Sequence, residues 1–296
     1  MLRAAADAAG AQQYPAGALY VVATPIGNLA DLSLRAVHVL ALADAVACED
    51  TRHSAPLLRH LGLDKPLLAV HQHNERDAAR GVLTRLARGE RVAYVSDAGT
   101  PALSDPGAVL VAAVRDAGFR VLPIPGASAA LAALSVAGDV NAASFRFAGF
   151  LPTKAGERTQ ALAALLAQPD AQVLFEAPHR IESLCQALGA ACPQRNVTLC
   201  RELTKQFESV VTLPAFELAG WLAADPNRLR GEFVLVLHAP PIVEVAAQDH
   251  DRTLLTLLAA MPLKQAVALA VQLTGAPRNA LYDRALALKD SGAVLP

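Results

Sequence analysis

At 296 residues, with 53% hydrophobic, 18% charged and only 4% aromatic residues, the chain is long enough for two cores and too apolar to be disordered. A formal charge of −1 excludes a protein coated in positive charge but leaves room for a local basic patch. The four cysteines (Cys48, Cys185, Cys192 and Cys200) form no C-x-x-C pair and no zinc-like cluster with histidine, so they read as reduced thiols of a cytosolic protein.

Residues 1–17, "MLRAAADAAGAQQYPAG", lack the continuous apolar core of a signal peptide and read as a loose tail. No apolar run nears the roughly twenty residues that a membrane helix needs, so the sequence points to a soluble, cytoplasmic protein. From Ala18 to Gly126 strand and helix patterns alternate. Strands are expected at Ala18–Thr24, Asp44–Asp50, Pro66–His73, Arg91–Asp97 and Phe119–Gly126. Their continuous apolar runs suit strands buried on both faces of a mostly parallel sheet. Asp31 is expected to cap the helix Leu32–Ala43, and further helices are expected up to Leu61 and over Ala108–Gly118.

"PIPGAS" (Pro123–Ser128) reads as a hinge, followed by a helix over Ala129–Ala137. Strands then recur at Ser144–Leu151, Ala171–Ala177, Asn196–Leu203, Phe207–Leu213 and Glu232–His238. The short "TKQ" between the third and fourth predicts an antiparallel hairpin and hence a mixed sheet. The sequence therefore divides into a tail (1–17), an N-terminal α/β domain (18–126) and a second α/β domain (127–240). A linker (241–250) and a C-terminal helical module (251–296) complete it. In that module Arg252–Ala260, Leu263–Gly275 and Arg278–Asp290 have helical periodicity, and Gly275 and Pro277 punctuate a helix-turn-helix arrangement. From Asp251 onward five Lys/Arg face three acids, a weak basic excess compatible with nucleic acid or with a packing appendage.

In open α/β sheets ligands bind beyond the carboxyl ends of the strands. The loops there are "TPIGNLAD", "EDTRHS", "HQHNER", "SDAGTPALSDPG" and "PGAS". No G-x-G-x-x-G, Walker A or G-x-S-x-G pattern occurs, which argues against a dinucleotide enzyme, a P-loop NTPase and a serine hydrolase. His71 and His73 lack a third ligand at a recognisable spacing, so no metal is expected. The twelve residues of "SDAGTPALSDPG" exceed the usual strand-to-helix link. They offer backbone donors and acceptors, the carboxylates of Asp97 and Asp105, and small residues, but no cation cluster. That set suits a ligand with hydroxyls, an amino-acid group and an adenine, such as S-adenosylmethionine, better than a triphosphate.

Nine segments in order carry a resemblance: "LYVVATPIGNLADLSLRA", "CEDTRHS", "HQHNE", "YVSDAGTPALSDPG", "PIPGASA", "FAGFLP", "LFEAPHRI", "CRELTKQFE" and "GEFVLVL". Together they resemble the ribosomal RNA small subunit methyltransferase I family of the tetrapyrrole methylase superfamily, from about Leu19 to Leu237. The resemblance implies an α/β, two-domain tetrapyrrole-methylase-like fold with a parallel-sheet N-terminal domain and a mixed-sheet second domain. A C-terminal helix-turn-helix-like module follows. It implies a homodimer that uses S-adenosylmethionine to methylate the 2′-oxygen of a cytidine ribose in 16S rRNA, in the decoding region of the small ribosomal subunit. By that likeness the donor site involves Pro25, Gly27, Asp97, Gly99, Thr100, Pro101, Ser128 and Ala129, with Phe175, Glu176 and Thr204 from the second domain.

A ribose hydroxyl is a weak nucleophile, so alignment with a base or an electrostatic partner is needed. Asp50, Arg52, Glu202 and Lys205 are the candidates by loop position, and Arg146, Lys154, Arg158, Arg180 and Arg201 are candidate phosphate contacts. Two alternatives stand beside this reading: a small-molecule tetrapyrrole methylase of the same fold, and a non-catalytic, donor-sensing RNA-binding protein.

Overall fold

The computed structural model describes residues 1–71, 74–240 and 250–290. Gln72 and His73, most of the expected linker (241–249) and the last six residues, 291–296, lie outside the described residues. The chain forms two compact units, Met1–Pro240 and Pro241–Pro296.

The first sheet holds β1 (Ala18–Val22), β2 (Ala45–Cys48), β3 (Leu67–Ala69), β4 (Val92–Val95) and β5 (Arg120–Ile124). They run in the order β3-β2-β4-β1-β5, every pair parallel. Side chains of a strand alternate between faces, so each strand feeds two cores. Tyr20, Val22, Val46 and Cys48 pack on one face against α2 (Leu34–Leu42) and α3 (Thr51–His60). Leu19, Ala47 and Tyr94 pack on the other face against α4 (Glu75–Ala87) and α5 (Ala108–Asp116).

Two local expectations need correction. The first residues are not a loose tail: α1 (Leu2–Ala9) buries Ala5 and Ala9, and Ala5 joins the core formed by α2. Asp31 does not cap α2. It ends a 3-10 turn opened by Asn28, and the Ser33 hydroxyl caps α2 by accepting from the Ala36 N–H at 3.1 Å. Two polar residues apart, Ser33 reaches the third amide of the helix, as a cap must.

Helix α6 (Ala129–Ala137) leads to the second sheet: β6 (Phe145–Phe150), β7 (Ala171–Glu176), β8 (Asn196–Arg201), β9 (Ser209–Pro214) and β10 (Phe233–Leu237). Its order is β6-β7-β10-β8-β9, with β6 parallel to β7 and the other pairs antiparallel. The β8–β9 pair is the expected hairpin. One face buries α7 (Ala155–Leu166), α8 (Ile181–Ala191) and α9 (Leu218–Ala223) through Leu162, Ile181, Leu184 and Leu222. The other face receives α6 and, from the first domain, Ile26. A shared apolar core thus holds the two sheets in one unit.

In the second unit α10 (Asp251–Ala260), α11 (Leu263–Thr274) and α12 (Arg278–Asp290) close around Leu254, Val267, Leu281 and Ala285. Gly275 ends α11 in the left-handed conformation. The Arg284 guanidinium donates to both oxygens of Asp251, at 2.8 and 2.5 Å, and so clamps α12 to the start of α10. No described helix is long and apolar enough to cross a membrane.

Candidate active site

The direction of the crossovers fixes where a ligand can enter. From β1 the chain moves through α2 toward β2, while from β4 it moves through α5 across β1 to β5, on the opposite face. The loop after β4 therefore parts from the loops after both of its neighbours, β1 and β2, and the crevices of an open sheet form at such switch points. That loop is the oversized "SDAGTPALSDPG".

Hydrogen bonds tie it to both sides. Toward β1, Thr24 and Gly99 exchange backbone bonds of 2.8 and 3.1 Å, and the Thr24 hydroxyl donates to the Ser96 carbonyl at 3.2 Å. Gly99 has φ +78, a region that penalises a Cβ, and a side chain there would press on Ile26 Cγ2 at 3.3 Å. The Thr100 hydroxyl donates to the Ala127 carbonyl at 3.1 Å, which joins the loop to the start of α6 beside Ser128 and Ala129. Pro101 is buried and Pro25 half-buried within this arrangement.

Toward β2, Asp97 accepts from the Asp50 N–H at 3.2 Å, and its other oxygen lies 2.8 Å from His53 Nδ1. His53 is a residue that reading the loops one by one missed. Its sequence signal is its place in "EDTRHS", in the first turn of the helix that follows a strand end. The carboxylate hydrogen bond, followed by the charges of Asp97 and Asp50, holds the His53 imidazole above its ordinary range. Burial raises the Glu49 carboxyl next door, helped by Asp105, Asp97 and Asp50. Burial likewise raises Asp105, against a hydrogen bond from Ser96.

The second domain meets this rim through "RELTKQ". The aliphatic stem of Lys205 lies across Gly27, where a Cβ would fall 2.5 Å from Cγ of the lysine. The Lys205 ammonium bonds Glu202 Oε1 at 2.9 Å and Glu232 Oε2 at 3.1 Å. The Thr204 hydroxyl is buried with no partner among the described residues, which leaves an unsatisfied polar group at the junction. Phe175 is half-buried, edge-on to Phe147 and Phe150 at 5.1 and 5.6 Å. The loop after β4 reaches this side as well, since the Ser104 hydroxyl abuts Gly149 at the bulge in β6.

Backbone strain concentrates on the same two segments. Among the described residues the non-glycine positions with positive φ are Ala102, Ser104, Glu202 and Thr204. Left-handed conformations of such residues persist only where the surroundings fix them, and they gather at ligand sites.

The electrostatics narrow the catalytic candidates. Asp50 caps α3 through the Arg52 N–H and pairs with the Arg52 guanidinium at 2.6 Å. The side-chain bond to Arg52 holds its carboxyl down at about 2. For Glu202, burial pushes the carboxyl up, but Lys205, the Glu232 N–H and Arg201 outweigh it and leave it below the ordinary range. Burial lowers Lys205, yet Glu202 and Glu232 prevail and keep it protonated. These shifts disfavour Asp50, Glu202 and Lys205 as proton acceptors: the two carboxyls are held below their ordinary range and the ammonium above its own. Arg52 and Lys205 remain the cationic candidates.

Several other expected contact residues have partners within the protein. Glu176 is fully buried and faces Arg180, with Nε 3.0 Å from Oε1 and Nη2 donating to Oε2 at 3.2 Å and to the Leu151 carbonyl at 2.8 Å. Both charges therefore tie β7 to the end of β6. Arg201 donates to the Arg230 carbonyl at 2.6 Å and the Phe207 carbonyl at 3.0 Å, and Arg158 to the Ser183 hydroxyl at 3.0 Å. Arg146 and Lys154 remain exposed, although Lys154 pairs with Glu157 at 3.0 Å.

Comparison with known proteins matches this architecture. The family model for tetrapyrrole (corrin/porphyrin) methylases covers residues 18–219, and the RsmI C-terminal HTH domain covers residues 244–289. Uroporphyrin-III C-methyltransferase from Thermus thermophilus, solved with S-adenosyl homocysteine, superposes with a TM-score of 0.53 at 19% identity, over 74% of this chain and 96% of that one. Diphthine synthase superposes with a TM-score of 0.55 at 16% identity, over 75% of this chain and 90% of that one. Two sheets joined by α6, with a strained loop at the switch point, are the tetrapyrrole methylase fold.

Curated relatives narrow the class. Ribosomal RNA small subunit methyltransferase I of Pseudomonas aeruginosa is 47% identical over 92% of this chain and 97% of its own length. The Neisseria meningitidis serogroup B protein of the same name is 46% identical over 93% and 94%. The chain belongs to the ribosomal RNA small subunit methyltransferase I family.

Proposed function

We propose that this chain transfers a methyl group from S-adenosylmethionine to the 2′-oxygen of a cytidine ribose in 16S rRNA, in the decoding region of the small subunit. Family membership supports the rRNA substrate and the methyl chemistry. The observation that carries the site is the meeting of two strained loops, where Lys205 lies on Gly27 and Thr24 pairs with Gly99.

The residues there suit the donor. Gly27, Gly99 and Pro101 let a ligand approach the backbone, and the orphaned Thr204 hydroxyl lacks a partner that a polar ligand can supply. Pro25, Asp97, Thr100, Ser128, Ala129 and Phe175 complete the wall. The donor brings an electrophilic sulfonium methyl. The protein's part is to hold the hydroxyl in line with it and to exclude competing nucleophiles. Arg52, Arg146 and Lys154, exposed on this unit, suit phosphate contacts, so RNA binding should weaken steeply with salt.

A homodimer working in the cytoplasm belongs to the same reading. Leu131 and Val136 of α6 expose apolar side chains of the kind a second subunit covers. Small subunits lacking the modification, incubated with tritiated donor and then mapped by mass, should carry label on one cytidine ribose. Label on a base, or none on rRNA, would overturn the reading.

A further inference from the structure

The structure assigns an acid–base pair to the crevice between β2 and β4. We propose that His53, oriented by Asp97, accepts the proton of the ribose hydroxyl during methyl transfer. The inference rests on the substrate reading above and adds the group that activates the nucleophile.

The geometry carries it. A carboxylate can only accept, so the 2.8 Å contact from Asp97 Oδ2 fixes the proton on Nδ1 and leaves Nε2 as the free acceptor. This is how an aspartate sets the tautomer of a catalytic histidine. Asp97 is itself held by the Asp50 N–H, and Asp50 caps the helix that carries His53, so the ring is fixed from both strands. The His53 side chain is 66% exposed, open to a macromolecular substrate and to solvent that can remove the proton. Asp97 lies two residues before Gly99, so the loop proposed to hold the donor also supplies the residue that orients His53.

Asp50 and Glu202 are held below the ordinary carboxylate range and so accept weakly, whereas His53 joins a fixed tautomer to an open position. The charged groups facing His53 are Asp97 and Asp50, which favour the imidazolium, and Arg52, which opposes it. Their balance raises its affinity for protons, which suits a base working near neutral pH. S-Adenosylmethionine is the consumed co-substrate here. In the transfer the ribose oxygen gains the methyl carbon, and the departing sulfur keeps the bonding pair of the broken carbon–sulfur bond. The hydroxyl proton passes to Nε2 and then to water. His53 is the catalytic residue and Asp97 a positioning residue.

The test compares wild type, His53→Gln and Asp97→Asn in single-turnover methylation of small subunits across pH 5.5–9. Donor affinity is measured by calorimetry, and the histidine titration by NMR of the free protein. General-base removal typically costs 10²–10⁴-fold, so His53→Gln should lose about a hundredfold or more in rate, with donor affinity kept within about twofold. The acid limb of its profile should vanish. In Asp97→Asn the His53 titration and the acid limb of the rate should both move to lower pH together. A His53→Gln rate and profile like wild type, with ribose label present, overturns the role of His53 alone. So does an acid limb in Asp97→Asn that stays put while the NMR titration moves. Wild-type enzyme that puts no label on ribose overturns the substrate reading, and the role of His53 falls with it.

Discussion

Two strand ends in this molecule carry an acid and a base side by side, and the two pairs have opposite characters. At the end of β7, Glu176 and Arg180 face inward, with side-chain exposures of 0% and 15%. At the crevice of the first sheet, Asp97 and His53 meet in the open, at 33% and 66%. In the buried pair Glu176 also accepts from the Ala177 N–H, and Arg180 also donates to the Leu151 carbonyl. The open pair leaves one imidazole nitrogen unused. The charge pair at one strand end is therefore a brace, while the pair at the other stands open to solvent. Burial makes the difference, because a charge taken out of water must have all its partners built in.

Glu176→Ala tests the brace and should have the largest effect. Removing the carboxylate leaves the Arg180 guanidinium in a shielded position without its countercharge. Breaking a buried pair in this way costs about 3–5 kcal/mol, which should appear as a large fall in the denaturant midpoint of the Met1–Pro240 unit. A loss below about 1 kcal/mol, the range of a surface pair, would place Glu176–Arg180 in the same class as the open pair and break the comparison.

Gly99→Val should have an intermediate effect, felt at the donor loop rather than in the fold. A left-handed backbone costs a residue with a Cβ roughly 1–2 kcal/mol, and the new side chain must displace Ile26 or distort the Thr24 bridge. Donor affinity measured by calorimetry should fall about tenfold or more, the equivalent of about 1.4 kcal/mol. Far-ultraviolet circular dichroism should be unchanged. Undiminished affinity would remove Gly99 from the donor wall.

The ten strands among the described residues were legible as short apolar runs bounded by turn-forming or charged residues, a pattern that survives without tertiary information. The hairpin was legible from its loop length. Helix α1 was not, since "LRAAADAA" has neither an N-terminal capping side chain nor a basic last turn, and its order comes from burying Ala5 against α2. The donor loop stood out by its length and composition. The side-chain pairings within the site did not. Whether Arg180 faces RNA or Glu176 depends on a rotamer and on the path of β6, to which the local sequence is silent. The His53–Asp97 contact joins residues 44 positions apart, and only the adjacency of β2 and β4 brings them together. Element order is written locally, whereas the use made of each charge is written in the sheet topology.

The smallest effect should be that of the open pair on stability, and its sign follows from the direction of the shift. His53 binds its proton more tightly folded than unfolded, since Asp97 favours the imidazolium. At pH values below about 6.5, the ordinary histidine value, the group is protonated in both states and the whole contribution is present. As pH rises above that value the unfolded chain releases its proton first, and the contribution is lost by the time the folded imidazole also titrates. The melting temperature of His53→Ala should therefore fall below that of wild type at pH 5.5 by more than it does at pH 9. Screening by solvent keeps the difference small, and added salt should shrink it further. The buried pair should show no such sensitivity to salt, because ions cannot reach it. If the His53→Ala difference instead grew with pH, the imidazole would be held neutral in the fold, and Asp97 would not be the partner that controls it.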